Sequence, residues 1–378
     1  MNLTLKPAML DGKINLPPSK SLLHRALICA YLADYNLDIT GYEISKDIAT
    51  TKYTLDCFAD GYSLDCGESG STLRFLLPIA CALGLNVTFT GEGRLPERPL
   101  IPYLREFIHN GIQFSSDKLP ITISGKLKAG KYNLEGNISS QFISGLLFAL
   151  PLLDGDSEII ITTSHESKPY TDMTLACIRN CGINIIEKDN TYIIKGNQKY
   201  IYSDIEIEAD YSQAAFFLVA NFLGSNIKID NLPQKSIQGD QKIVEILENL
   251  KNNTIDEIDC KDTPDLVPVL AVACCFAKTR VILKNTDRLR LKESDRLTAI
   301  STSLNKIGGK LNVTKSGLII EPIDHFTGGI TDSVNDHRIA MSLAIAAQKC
   351  NAPITIINAE CVGKSYPSFW DEYHKLRV

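Results

Sequence analysis

One hydrophobic pattern runs through the chain six times: a short opening of small or polar residues, an apolar run of helical length, a break, and a β-type stretch. The copies are PPSKSLLHRALICAYLADYNLDIT, GESGSTLRFLLPIACALGLNVTFTG, GNISSQFISGLLFALPLLDGDSEIIITT, EADYSQAAFFLVANFLGSNIKIDN, DTPDLVPVLAVACCFAKTRVILKN and NDHRIAMSLAIAAQKCNAPITIIN. Their openings use Gly, Ser, Asp or Asn, residues that satisfy the free N–H groups of a helix start. The runs are apolar nearly all round, which predicts helices buried in the middle of a domain rather than laid on a surface. Amphipathic helices are predicted between them, in IPYLREFIHNGIQF, MTLACIRNCGINII, QKIVEILENL and SDRLTAISTSLNKIGGKL, with strand-like YNLEG and YIIKG nearby. Each repeat reads as a mixed α/β unit of roughly 60 to 70 residues, so six repeats suit two domains of three, helices inside and sheets outside. The copies break near EIEAD, which predicts one domain over residues 19–208 and a second over residues 1–18 and 209–378, with LTLKPAML as a strand of the latter.

A length of 378 residues agrees with two domains. No apolar run approaches the roughly 18 residues of a membrane span. The start of the chain carries neither a secretory block nor an Arg-rich transit helix, so a cytoplasmic protein is expected. The eleven cysteines form no CxxC pair and have no histidine at metal-ligand spacing; they read as buried free thiols, and no metal is expected. A formal net charge of -5 speaks against nucleic acid as a partner. RLRLKESDRL, residues 288 to 297, is then a local cation cluster for something small.

The repeat openings carry the remaining chemistry: Lys20, Ser21 and Arg25 in PPSKSLLHR, Ser139, Ser140 and Gln141 in SSQF, Ser167, Lys168 and Tyr170 in SKPY, and Asp336, His337 and Arg338 in NDHR. Helix N-termini are positive and rich in free donors, so cations repeated there point to an anionic ligand. A single Ser or Lys at a helix start is ordinarily a cap or a solvated charge; the repetition is what carries weight. Arg94 and Arg98 sit in the Gly/Pro-bounded GEGRLPERPL, where a guanidinium can grip carboxylate or phosphate in two-pronged fashion. Lys292, Glu293 and Arg296 are expected in the first turn of a helix ending at Gly308, with the two cations on one face. Cations there oppose the helix dipole and imply an anion to neutralise them. The carboxylates among them suit proton transfer: Glu293 first, then Asp265 in TPDLVP, for which a simple N-cap is an equal alternative.

Through PSKSLLHR, GESGSTLR, GRLPERP, SSQF, SKPYTDMT, PDLVP, RLRLKESDR, NDHRIAM and KSYPSF, taken in order over essentially the whole length, the chain resembles the 5-enolpyruvylshikimate 3-phosphate synthase family. That resemblance implies a two-domain, inside-out α/β barrel-like fold (α+β type) of βαβαββ repeats with a hinge. It implies transfer of the enolpyruvyl group of phosphoenolpyruvate to the 5-hydroxyl of shikimate 3-phosphate, on the route to chorismate and the aromatic amino acids. By the same resemblance Lys20, Ser21, Arg25, Ser139, Ser140, Gln141, Ser167 and Tyr170, with Asp265 and Lys292, would bind shikimate 3-phosphate. Lys20, Gly70, Arg98, Gln141, Arg296, Arg338 and Lys364 would bind phosphoenolpyruvate. Asp265 would take the proton of the 5-hydroxyl, Glu293, with Lys292, would serve proton transfer at the enolpyruvyl methylene, and Lys20 would be catalytic as well. No cofactor or metal is implied, and a monomer is expected.

The chain departs from the family where Gly67-Glu68-Ser69-Gly70-Ser71 replaces the common Gly-Asn-Ala-Gly-Thr, and where Arg288 and Leu289 replace asparagine and tryptophan. A UDP-N-acetylglucosamine 1-carboxyvinyltransferase, sharing fold and chemistry, would need a loop cysteine that GRLPERP lacks. A non-catalytic anion-binding protein of the same fold would lack the acid/base residues present here as Asp265, Lys292 and Glu293.

Overall fold

A computed structural model describes residues 1–58 and 61–378. The chain forms two compact units, Lys20–Ile207, and Met1–Ser19 with Glu208–Val378.

The repeat is clearest as a strand–helix–strand–helix–strand–strand module. In the unit Lys20–Ile207 it occurs as Ser63–Asp65, Gly70–Leu83, Val87–Thr90, Ile101–His109, Ile112–Phe114 and Ile121–Gly125, and again as Lys131–Leu134, Ser140–Ala149, Ser157–Ile161, Lys168–Asn180, Ile185–Lys188 and Thr191–Ile194. Each module makes one four-stranded sheet in the order first, second, fourth, third. The first two strands are parallel because a whole helix crosses over between them; the last two form an antiparallel hairpin. Strand Ser157–Ile161 alternates buried and half-buried side chains, one face against the helices.

Inside lie the apolar helices. Gly70–Leu83 buries twelve of its fourteen residues, so it must be enclosed on all sides. It packs on Ser140–Ala149, which packs on Lys168–Asn180, which meets Lys20–Leu32; Lys46–Asp56 completes a ring by touching both Lys20–Leu32 and Gly70–Leu83. Gly145 permits the approach of Ser140–Ala149 to Gly70–Leu83, since a Cβ there would lie 2.2 Å from the Arg74 carbonyl oxygen.

The other unit repeats the module as Glu257–Asp259, Val267–Cys274, Val281–Lys284, Arg296–Lys306, Leu311–Val313 and Gly317–Ile320. Its remaining sheets borrow from the start of the chain. Asn2–Leu5 runs antiparallel to Ile354–Ile357, and Asp11–Ile14 runs parallel to Asn226–Ile229. The buried helices here are Tyr211–Phe222, Val267–Cys274 and His337–Ala346, packed on one another. All six expected apolar helices are present, but the first copy lacks its expected strand: Leu37–Thr40 has no regular structure. Asp38 accepts a hydrogen bond from the Thr40 N–H at 2.9 Å, a local turn that competes with pairing to a sheet. Among the described residues no helix is long and apolar enough to cross a membrane. All eleven cysteines are free, and only Cys57 is less than buried.

Candidate active site

In the unit Lys20–Ile207 the helix openings come together through a buried polar network. Arg25, 3% exposed, donates from Nε to Thr174 Oγ1 (2.8 Å), from Nη1 to the Ser21 carbonyl (2.6 Å) and from Nη2 to the Tyr170 carbonyl (2.7 Å). Thr174 passes the chain to Ser144 Oγ at 2.8 Å, so the helices beginning at Lys20, Ser140 and Lys168 are tied near their starts. All three acceptors of Arg25 are neutral, and among the described residues it has no carboxylate partner. Burial pulls its guanidinium down to about 10, only partly offset by Cys177, Tyr170 and Cys29. A buried cation that among the described residues lacks an acidic partner, with two of its five donors uncommitted, can receive an anion.

Gln141 is held from both ends of its amide, accepting from Arg74 Nη1 and donating to Ser71 Oγ, each at 2.9 Å. Ser139 caps its helix and accepts from the Gln141 N–H at 3.3 Å; Ser140 is buried behind it. Ser167 holds the corresponding place before Lys168–Asn180 in the left-handed region (φ 54°), buried and without a side-chain cap bond. Lys168 turns outward to Asp172 (2.6 Å) and Glu187 (3.0 Å). Lys20 pairs with Asp47 at 2.7 Å. The two arginines of GEGRLPERPL separate: Arg94 is a surface residue paired with Glu97, whereas Arg98 is buried, its guanidinium against Gly70.

The other unit assembles a denser cluster around Arg296, whose side chain is 2% exposed. Its Nη1 donates to Asp265 Oδ1 (2.9 Å), its Nη2 to Glu293 Oε2 (2.6 Å) and its Nε to Asp336 Oδ2 (2.8 Å). Arg338 Nη2 takes the second oxygen of Asp265 at 2.8 Å, and Lys292 Nζ stands 3.7 Å from the first. Lys364 donates to the Asn335 carbonyl at 3.1 Å, beside Asp336. Burial and Glu293 push the Asp265 carboxyl up, but Arg338, Lys292 and Arg296 outweigh them and hold it well below the usual carboxylate range.

Two local expectations are corrected here. The helix begins at Arg296 with Asp295 as its cap, so Lys292 and Glu293 precede it, at the end of the 3-10 turn Asp287–Leu291. Lys292 and Arg296 nevertheless converge, because both reach Asp265. Asp265 is no N-cap: it lies in the 3-10 turn Pro264–Leu266 and its side chain is given to the two arginines. Within RLRLKESDRL, Arg290 meets Asp295, Lys292 stands near Asp265, and Arg296 meets Asp265, Glu293 and Asp336. Arg288 is buried and donates to the Lys261 carbonyl, while Leu289 is core.

Three further residues belong to these networks, of which the sequence analysis named only Asp336, at its repeat opening. Arg74 orients Gln141 and lies over Phe142; Asp336 anchors Arg296 and caps the helix at the Arg338 N–H. The Arg of GSTLR and the Asp of NDHR were the available signals. Asp240 had none. It is 2% exposed, accepts from the Ser212 hydroxyl, and is pushed up to about 6 by burial and by Asp265, against Arg338 and Ser212. Its carboxyl holds a proton more tightly folded than unfolded, so its stabilising contribution is full below about pH 4 and is lost as pH rises through about 6. Asp240→Asn is therefore expected to melt close to the wild type at pH 4 but roughly 5 °C higher at pH 8. Calorimetric scans at both pH values check this, and an equal difference at the two would remove the buried charge as its cause.

Residues 54–373 match the family model described as EPSP synthase (3-phosphoshikimate 1-carboxyvinyltransferase). The chain is 42% identical to the 3-phosphoshikimate 1-carboxyvinyltransferase of Clostridium novyi, covering 99% of this chain and 97% of that one. It is 43% identical to the protein of the same name from Clostridium kluyveri, over 99% and 96%. In fold it is similar to a solved EPSP synthase from Acinetobacter baumannii, with TM-score 0.81 and 23% identity over 100% of this chain and 98% of that one. The chain belongs to the EPSP synthase (3-phosphoshikimate 1-carboxyvinyltransferase) family.

Proposed function

We propose that the chain transfers the enolpyruvyl group of phosphoenolpyruvate to the 5-hydroxyl of shikimate 3-phosphate, releasing phosphate, and that the two clusters divide the work. The carrying observation is that Asp265 and Glu293 share one guanidinium, that of Arg296. A purely anion-binding protein has no use for carboxylates set among its cations. An acid/base enzyme does, because an anionic substrate that takes Arg296 and Arg338 draws positive charge away from both carboxylates and raises their basicity when the reaction needs it.

In this scheme Lys20, Ser21, Arg25, Ser139, Ser140, Gln141, Ser167 and Tyr170 hold shikimate 3-phosphate, with Arg25 facing one of its anionic groups. Lys20, Gly70, Arg98, Gln141, Arg296, Arg338 and Lys364 hold phosphoenolpyruvate. Asp265 accepts the 5-hydroxyl proton as that oxygen bonds to C2, while Glu293, beside Lys292, protonates the methylene to give a tetrahedral adduct. A proton then leaves the new methyl group as the C–O bond to phosphate breaks, restoring the double bond. We infer that the protein acts as a cytoplasmic monomer on these small molecules.

Phosphate release from phosphoenolpyruvate tests the reading: it is expected with shikimate 3-phosphate as acceptor and not with UDP-N-acetylglucosamine, and the reverse result would refute it. Gly70 offers a second check. A Cβ there would lie 2.4 Å from Arg98 Nη1, so Gly70→Ala must displace the guanidinium. Phosphoenolpyruvate binding is expected to weaken roughly 10- to 100-fold, the scale of hydrogen bonds to a charged group. Shikimate 3-phosphate should be held nearly as before in calorimetric titration, and equal losses for the two ligands would count against Arg98.

A further inference from the structure

A buried chain of hydroxyls crosses three helices of the unit Lys20–Ile207. His24 Nδ1 lies 2.8 Å from Thr51 Oγ1, which lies 2.6 Å from Thr72 Oγ1, which donates to Ser69 Oγ at 2.7 Å. None of the four residues is more than 1% exposed. Ser69 also accepts from the Thr72 N–H at 3.2 Å and so caps the helix that starts at Gly70. The proton order follows. With the Thr72 proton given to Ser69, Thr51 must donate to Thr72, and His24 must donate from Nδ1 to Thr51. Burial, then Lys20 and Arg25, hold the histidine well below its ordinary value and hence neutral, which suits one donor and one acceptor nitrogen.

Thr51 stands one turn beyond Asp47 on helix Lys46–Asp56, so a single helix reaches Lys20 through a carboxylate and the start of Gly70–Leu83 through a hydroxyl. We propose that the helix Lys46–Asp56 is a positioning element of the phosphoenolpyruvate site: Asp47 orients Lys20, and Thr51 pins, through Thr72 and Ser69, the Gly70 backbone against which Arg98 lies. Neither Asp47 nor Thr51 is given any contact with substrate. The inference rests on the reading that Lys20, Gly70 and Arg98 hold phosphoenolpyruvate.

The logic is geometric. A Cβ at Gly70 would lie 2.4 Å from Arg98 Nη1, so the guanidinium rests directly on this backbone and a shift of the helix start towards it must displace the guanidinium. An apolar isostere at Thr51 breaks the chain at its centre and leaves two buried polar partners to rearrange.

Steady-state kinetics on Thr51→Val, Thr51→Ser, Ser69→Ala and Asp47→Asn test the proposal. Thr51→Val and Ser69→Ala are expected to raise KM for phosphoenolpyruvate about three- to tenfold, the scale of one hydrogen bond, with KM for shikimate 3-phosphate within about twofold of wild type. Thr51→Ser, which keeps the hydroxyl, should restore wild-type values. Asp47→Asn should raise both KM values, because Lys20 serves both ligands. Unchanged phosphoenolpyruvate KM in Thr51→Val and Ser69→Ala, equal rises for the two substrates, or a Thr51→Ser variant as impaired as Thr51→Val would overturn the relay. If Thr51→Val does not fold, Ser69→Ala, which removes only the last hydroxyl, decides alone. Failure of the underlying reading shows separately, as a wild type without turnover on this substrate pair.

Discussion

Arg296→Met is expected to destabilise the unit Met1–Ser19 with Glu208–Val378 by about 3–5 kcal/mol, the usual cost of removing one partner from a buried ion cluster. Three carboxylates converge on this guanidinium, and the Asp336 side chain is 0% exposed. Without it Asp336 keeps, among the described residues, the Ser294 hydroxyl and the Arg338 N–H, two donors that solvate a charge without neutralising it. The sign of the pH dependence separates this account from lost packing. In the wild type the depressed Asp265 carboxyl contributes stability that is present above its unfolded value, about 3.9, and is lost as pH falls through its lower folded value. In the variant Asp265 keeps Arg338 and Lys292, but the stranded Asp336 carboxylate binds a proton more readily than in the unfolded chain, so stability falls as pH rises. The melting difference from wild type should therefore be larger at pH 8 than at pH 5, on the order of 10 °C at the higher value. Arg296→Lys, which keeps one charge but loses the three-way fork, should fall between. A difference independent of pH would assign the loss to side-chain volume.

The same cluster shows where sequence reasoning stops. The apolar helices were legible because each is hydrophobic on every face, a pattern that needs no partner to interpret: GSTLRFLLPIACAL can only be enclosed. Motif residues were legible one at a time, as cations at helix starts. Their partners were legible only in part: Glu293 lies three residues before Arg296, but Asp265 and Asp336 reach it from two distant stretches of chain and nothing local pairs them. The cations of RLRLKESDRL read as collected for a substrate; Asp265 and Asp336, which Lys292 and Arg296 meet in the folded chain, do not show in that run. Asp240 was invisible for the same reason: QGDQK reads as an ordinary polar loop, and only the fold buries that aspartate. The unformed strand at Leu37–Thr40 failed differently, through a short-range competitor, the side chain of Asp38.

Glu293→Gln is expected to lower kcat at least about 100-fold while the protein stays folded and binds both substrates nearly as before. The substitution keeps volume, and the amide oxygen can still accept from Arg296 Nη2, as the carboxylate does at 2.6 Å. Arg296 also keeps Asp265 and Asp336, so the cluster loses one charge and none of its geometry. The ability to give and take a proton is what disappears. A second measurement isolates that step from phosphate release. If addition to phosphoenolpyruvate is reversible, the transient methyl group exchanges hydrogen with solvent through Glu293, and wild-type enzyme in D2O with shikimate 3-phosphate should place deuterium in the methylene of recovered phosphoenolpyruvate. Glu293→Gln should bind phosphoenolpyruvate and leave it unlabelled. A variant with near-normal kcat, or one that labels the methylene at the wild-type rate, would exclude Glu293 from the proton transfer and leave it as a structural counter-charge to Arg296.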